Sequence, residues 1–411
     1  MNAVAAGPVP ERRVDLVVYA FDPWSTMWKR TQMLVHHLQD SPWLGRVLYV
    51  NPAIHLMDLG RRPALLGDPV QRQALGAGGV RRITSRVAAA TPLVPPLGYP
   101  GKPLAGLRRR LEERLVAPYV RGDFILWAGA LLRPEHTVFW DLFERAPFRI
   151  FDWSDDFATF AVGADERRED EEITGRFLAA ADLVVTVNAG LAERASRSTE
   201  RVRCLRNGTD YERMVRATRP ETPVHPGLAR LSGPVIGYMG YMNQARLDTE
   251  LLLAVARARP AWQFAFVGPQ VTAAPLGDEL PRLPNVHVFP PVPYDELPGV
   301  LKGFDVCTIP NRINEHTAGN DPIKLFDYLA SGRPVVATPT AGLAEFADVV
   351  GIAADAPAFE AALAAALAGA DDPEARGRRL ARGERYSWRA RTADLDGWIR
   401  ELVLGDREVP A

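Results

Sequence analysis

Short apolar runs alternate with longer stretches of helical period along the whole chain. Val14 to Ala20, Arg46 to Val50, Phe124 to Trp127, Phe148 to Phe151, Leu183 to Val187 and Val202 to Leu205 are rich in Val, Ile, Leu and Phe. Such nearly continuous runs mark strands buried on both faces. Between them the apolar spacing predicts helices over Lys29–Gln39, Leu104–Val116, Glu135–Phe143, Asp165–Ala180 and Ala189–Ala195. Alternation of this kind implies a parallel sheet with helices on its faces.

The pattern then restarts. Pro234–Met239, Gln263–Val267, Val286–Phe289, Val306–Ile309 and Pro334–Ala337 read as strands, and Arg246–Ala258, Asp295–Lys302 and Pro322–Ala330 as helices. Asn207-Gly208-Thr209-Asp210 and the Pro-rich stretch Thr218–Pro226 lie between the halves and read as a linker. An Ala-rich helical region covers Ala358–Gly383, and Trp388–Leu404 reads as an amphipathic terminal helix. The fold class is therefore α/β, with two Rossmann-like, doubly wound domains in tandem, divided as 1–207, 208–385 and a terminal helix and tail, 386–411. Ligands of such sheets bind at the carboxyl ends of the strands.

Composition narrows the function without naming it. The chain has 411 residues, 47% hydrophobic and 24% charged, with a formal net charge of −1. That balance gives no global drive toward nucleic acid. The two cysteines, Cys204 and Cys307, have no metal-ligand spacing, so neither a zinc site nor a disulfide framework is expected. Met1–Arg13 lacks the apolar core of a signal peptide and no apolar run is long enough to cross a bilayer, which favours a cytoplasmic protein. Only four of the 49 basic residues are lysines: Lys29, Lys102, Lys302 and Lys324.

Lys324 falls in the most informative segment, Asn311–Thr338. A strand ends at Ile309-Pro310, a polar Asn/Gly loop follows, and a helix opens at Pro322, which Asn320 or Asp321 can cap. Free N–H groups at a helix start attract phosphate, and a lysine there opposes the helix dipole unless an anion joins it. Asp327 lies one turn further on the same face, where a carboxylate can accept from two vicinal hydroxyls such as those of a ribose. A surface ion pair between Lys324 and Asp327 is the competing reading. In a second segment, Val235–Asp248, a strand leads into Gly240 and Tyr241 and then Arg246. Gly240 permits close approach of an anion and Arg246 can fork onto a diphosphate, unless Asp248 simply neutralises it.

Together these residues resemble the metal-independent, two-domain glycosyltransferases of the GT-B type, nearest to the retaining family 4. The resemblance covers most of the chain. It rests on Asn207-Gly208-x-Asp210, Val267-Gly268-Pro269, Pro293-Tyr294-x-Glu296-Leu297 and above all Pro322–Val336. It implies two domains facing a cleft, with the terminal helix crossing back to the first. It also implies that Asp327 binds the nucleotide ribose, and that Lys324, Leu325 and Arg246 hold the diphosphate. The chain departs from the family where an acidic residue commonly contacts the donor sugar: that position is Gly319, with Asn314, Thr317, Asn320 or Asp321 as possible substitutes. A histidine common after an N-domain strand is also missing; the strand ends here carry Trp127-Ala128-Gly129 and Asp152–Phe157.

Asp155 and Asp156 after a buried strand admit three readings: a proton-transfer pair, helix caps, or acceptor ligands. Trp28, Arg30 and Gln32, in and just beyond the loop after the first strand, are expected to meet an acceptor through ring stacking and hydrogen bonds, or else to pack their helix. Leu104–Val116 is a basic amphipathic segment that either touches anionic lipid or presents an ordinary solvated face. The expected activity is transfer of a sugar from a nucleotide-diphosphate donor to a carbohydrate, lipid-linked or small-molecule hydroxyl acceptor. No cofactor or metal is expected, and cell-surface polysaccharide or glycolipid synthesis is the implied setting, at the cytoplasmic side of the membrane. A sugar-nucleotide 2-epimerase and a non-catalytic scaffold are the alternatives.

Overall fold

The computed structural model describes residues 13–25, 28–58, 79–98, 100–160, 163–270, 274–314, 317, 321–340 and 342–405. The chain divides into two compact units: Met1–Leu205 with Thr392–Ala411, and Arg206–Arg391.

The first unit holds strands β1 (Val14–Ala20), β2 (Leu44–Val50), β3 (Ile54–His55), β4 (Val80–Arg82), β5 (Val87–Ala90), β6 (Leu93–Val94), β7 (Phe124–Gly129), β8 (Phe148–Trp153), β9 (Leu183–Thr186) and β10 (Val202–Cys204). Eight of them form one sheet in the order β10-β9-β8-β7-β1-β2-β5-β4. Every pairing in it is parallel except that of β4 with β5. The order reverses beside β1, so the loops after β1 and β7 flank a switch point. Phe139, Trp140, Phe143, Phe151 and Phe177 build an aromatic cluster beneath the sheet, with ring centroids 4.6 to 5.9 Å apart. β5 escapes a sequence reading because its segment, Val87-Ala88-Ala89-Ala90, is mostly alanine. Alanine favours helix, yet here it fills a tight place beside β2.

The second unit carries β11 (Val235–Met239), β12 (Gln263–Val267), β13 (Val286–Phe289), β14 (Val306–Ile309), β15 (Val335–Ala337) and β16 (Val350–Ile352), in the order β13-β12-β11-β14-β15-β16. All pairs are parallel. This is the dinucleotide-fold order, with its switch point between β11 and β14. The helix expected from Arg246 begins only at Thr249, because Asp248 caps it by accepting from the Leu251 N–H. The residues before it pair instead as a bridge between Leu247 and Asn311. The Ala-rich region is two helices, Ala356–Ala368 and Pro373–Arg385, parted where Asp372 caps the second.

The second unit ends within the helix Trp388–Trp398, and residues from Thr392 belong to the first. There Asp396 accepts from Ser41 and, at 2.8 Å, from the Trp43 indole. No described helix is long and apolar enough to cross a membrane.

Candidate functional site

The switch point of the second unit gathers its glycines, cations and acids. β11 runs out at Met239, and Gly240 follows with φ of 136°, a conformation that suits glycine. Gly268, at the end of β12, has φ of 145°, and a Cβ there would lie 2.3 Å from the Gly240 carbonyl oxygen. A Cβ on Gly240 would lie 3.2 Å from both Cε and Nζ of Lys324. The bare backbone of Gly240 is thus the wall against which the lysine rests. The helix Ile323–Ala330 is tied to the end of β11 by Tyr328, whose hydroxyl accepts from the Met239 N–H at 2.7 Å.

Lys324 is half-buried. Its Nζ donates to the Tyr238 hydroxyl at 2.6 Å, and that hydroxyl donates to the Tyr241 carbonyl at 2.8 Å, so an oxygen lone pair faces the ammonium. Burial, reinforced by the nearby Arg246 guanidinium, lowers the lysine pKa to about 7. Arg246 is placed by the turn in which its N–H donates to Asn243 and its carbonyl accepts from Arg312. Two cations therefore stand close together at the strand ends. Tyr241 is exposed beside them.

Among the described residues, nothing caps the helix start next to this pair. Pro322 stands at the cap position with no side-chain cap, and the first turn holds no acidic residue. Leu325 already donates its N–H to the Pro322 carbonyl and buries its side chain in the core, so it does not present an N–H to a ligand as expected. Among the described residues, the N–H groups of Ile323 and Lys324 have no acceptor.

Asp327 is buried one turn on and accepts from the Thr209 hydroxyl at 2.7 Å. Burial raises its pKa to about 7; the Thr209 hydrogen bond pulls it back and the Asp210 charge pushes it up. The partners of Lys324 and Asp327 are Tyr238 and Thr209 rather than each other, so the surface-pair reading fails. Asp321, expected to cap the helix or touch the donor, does neither. Its carboxylate is fully buried on Arg206 and the Asn207 N–H. Asn320 and Gly319 lie outside the described residues. Tyr238 and Arg206 escaped the sequence reading, since one reads as a strand residue and the other as the end of a linker.

In the first unit the expected acceptor residues divide. Trp28 is half-buried, edge-on to Trp24 at 5.9 Å and to His36 at 4.9 Å. Arg30 is turned inward, where the fully buried Asp152 carboxylate captures it at 3.0 Å and its Nη1 donates to the Leu205 carbonyl. Gln32 is buried as well, accepting from the Lys29 N–H and donating to the Ser25 carbonyl in a helix-start box. Arg30 and Gln32 are therefore scaffold residues, because buried partners use up their polar atoms. Asp156 pairs with Arg194, and the backbone carbonyls of Asp155 and Asp156 accept from the start of the short helix Phe157–Phe160.

Residues 233–370 match the model of Glycosyl transferases group 1. A stretch of 140 residues is 32% identical to the putative teichuronic acid biosynthesis glycosyltransferase TuaH of Bacillus subtilis; it spans 34% of this chain and 34% of that relative. Among solved structures, sucrose-phosphate synthase from Thermosynechococcus elongatus superposes with a TM-score of 0.67 at 15% identity, over 96% of this chain and all of that one. HepE of Anabaena, solved with UDP and glucose, gives 0.64 at 14% identity, over 95% of this chain and all of that one. The fold is that of these GT-B proteins.

Proposed function

We propose that the chain moves a sugar from a nucleotide-diphosphate donor to a hydroxyl acceptor, with retention and without a metal ion, a reading supported by the match of residues 233–370 to the model of Glycosyl transferases group 1. The observation that carries this reading is the half-buried Lys324–Arg246 pair beside a helix N-terminus without a side-chain cap, with the Asp327 carboxylate one turn away. A diphosphate placed there meets two cations and two N–H groups, and those groups stabilise the charge that grows as the nucleotide leaves. Asp327 keeps one oxygen on Thr209 and offers the other to ribose hydroxyls. The first unit takes the acceptor, with the Trp28 ring as its apolar contact. Leu97, Leu104 and Leu107 are exposed near Arg110 and Arg114 of the helix Ala105–Val116, which supports peripheral contact with anionic lipid at the cytoplasmic face. TuaH, by its name, acts in teichuronic acid synthesis, and we extend that setting, cell-surface polysaccharide or glycolipid assembly, to this chain.

Calorimetry with UDP, GDP and their sugars tests the reading. At least one should bind, and Asp327→Ala should weaken it. No binding of any of them would refute the assignment, and conversion of a donor alone to an epimerised sugar nucleotide would replace it.

A further inference from the structure

A carboxylate sits one residue before the open helix start and is withheld from it. Asp321 immediately precedes Pro322, and an acidic side chain so close to a helix N-terminus ordinarily caps it, satisfying the N–H groups and the positive end of the dipole. Here every acceptor of Asp321 is used elsewhere. Oδ1 takes Nε of Arg206 at 3.2 Å and also its Nη2, Oδ2 takes the Asn207 N–H at 2.7 Å, and the carbonyl takes the Asn207 side-chain amide at 2.7 Å.

The guanidinium that does this is itself held on all sides. Its Nη1 donates to the Gly342 carbonyl at 3.0 Å and pairs with Glu345, and its plane lies 4.9 Å from the Phe346 ring centroid. Gly342 has φ of 72°, and a Cβ there would come within 2.7 Å of Nη2. Nothing in this arrangement is needed to form the helix, which would be more stable capped. What it accomplishes is to keep a fixed negative charge off the N–H groups of Ile323 and Lys324.

We propose that Arg206 is a positioning residue that holds the Asp321 carboxylate away from the N-terminus of the helix Ile323–Ala330, and so keeps that N-terminus open to the diphosphate of the donor. The inference rests on the donor-site reading above. Without Arg206 the carboxylate has lost its cation while still buried; Oδ2 keeps the Asn207 N–H, and the freed Oδ1 lies two residues before the first of the two N–H groups a diphosphate would use. Asp321 then competes with the ligand from within the chain. A merely structural Arg206 predicts no such competition.

The test is UDP and GDP affinity, followed with whichever nucleotide the wild type binds tighter. Arg206→Met should weaken it by ~10-fold or more, the scale of a charged cap at a desolvated helix start. Arg206→Met/Asp321→Asn should return to within ~3-fold of wild type, since the competing charge is gone, and Arg206→Lys should stay within ~3-fold because it keeps the cation. A double variant no tighter than Arg206→Met overturns the proposal. Should Arg206→Met not fold by circular dichroism, Asp321→Asn alone decides: Glu345 still neutralises Arg206 there, so nucleotide should bind within ~3-fold of wild type, and a ~10-fold loss overturns it. A wild type that binds neither nucleotide removes the donor-site reading itself, a result separate from any difference among the variants.

Discussion

Donor binding should be pH-dependent on both sides of neutrality, with each side owned by one residue. Lys324 is lowered from 10.5 to about 7 by burial and Arg246, and Asp327 is raised from 3.8 to about 7 by burial. A diphosphate needs the lysine charged, and ribose hydroxyls need the carboxylate charged. The sign follows for each group. Binding raises the lysine pKa and takes up a proton, so affinity falls as pH rises above about 7. Binding lowers the aspartate pKa and releases a proton, so affinity falls as pH drops below about 7. With both groups near 7, about a quarter of the free protein carries both charges at pH 7. Affinity should then fall about threefold one pH unit away and about 25-fold two units away on either side. A nucleotide-diphosphate sugar such as UDP-glucose is the proper titrant, because it lacks the terminal phosphate ionisation near about pH 6. Calorimetry from pH 5 to 9 measures the curve, and repeating it in buffers of different ionisation enthalpy counts the protons. Lys324→Met should lose the alkaline arm and release about half a proton at pH 7, whereas Asp327→Asn should lose the acid arm and take up about half. A flat wild-type curve, or an arm that vanishes in the wrong variant, would refute the reasoning.

Two further outcomes follow from the same geometry. The unfolded chain binds more protons at Lys324 than the folded chain between pH 7 and 10.5, so the cost of burying this cation is fully present below pH 7 and fades above it. Lys324→Met should therefore raise the melting temperature at pH 6 while cutting turnover by about 100-fold, as loss of a leaving-group contact does; equal turnover would remove Lys324 from that role. Arg30→Met should strip the fully buried Asp152 of its cation and destabilise the first unit by about 3 kcal/mol, roughly 6–12 °C in melting temperature. It should leave the acceptor KM unchanged where activity is measurable; a raised KM with intact stability would return Arg30 to the acceptor.

What the amino-acid order discloses is uneven for physical reasons. The second unit was legible almost strand for strand, because its buried parallel strands are continuous Val, Ile and Phe runs bounded by Gly and Pro. Lys324 and Asp327 stood out by chemistry: a cation in the first turn of a helix lacks a local reason, and a carboxylate at i+3 shares its face. Their partners did not stand out. Tyr238 is one residue of an ordinary strand, 86 positions before the lysine it holds, and Arg206 lies 115 positions before Asp321. Pairing over such distances is set by tertiary packing, which periodicity does not encode. The same limit explains Arg30 and Gln32. A polar residue after a strand end looks available until a buried acid such as Asp152 claims it.

The scarcity of lysine bears on why position 324 is not arginine like most of its basic counterparts. Arginine stays charged at any pH a protein meets, so a buried one must be paired permanently, as Arg206 is with Asp321 and Arg30 with Asp152. A site that is alternately empty and filled by an anion cannot offer a permanent partner. Lysine meets both states: with its pKa lowered to about 7 it is partly neutral against Tyr238 when the site is empty, and when a diphosphate arrives it takes up the charge in full. Lys302 shows the other property arginine lacks, a compact three-donor head, which closes on the carbonyls of Arg219, Pro220 and Thr222 at 2.6, 3.0 and 2.8 Å. The lysine at 324 is thus tied to the adjustable charge, and Arg246 beside it to the constant one. Such a division lessens the repulsion between two neighbouring cations before any ligand is bound.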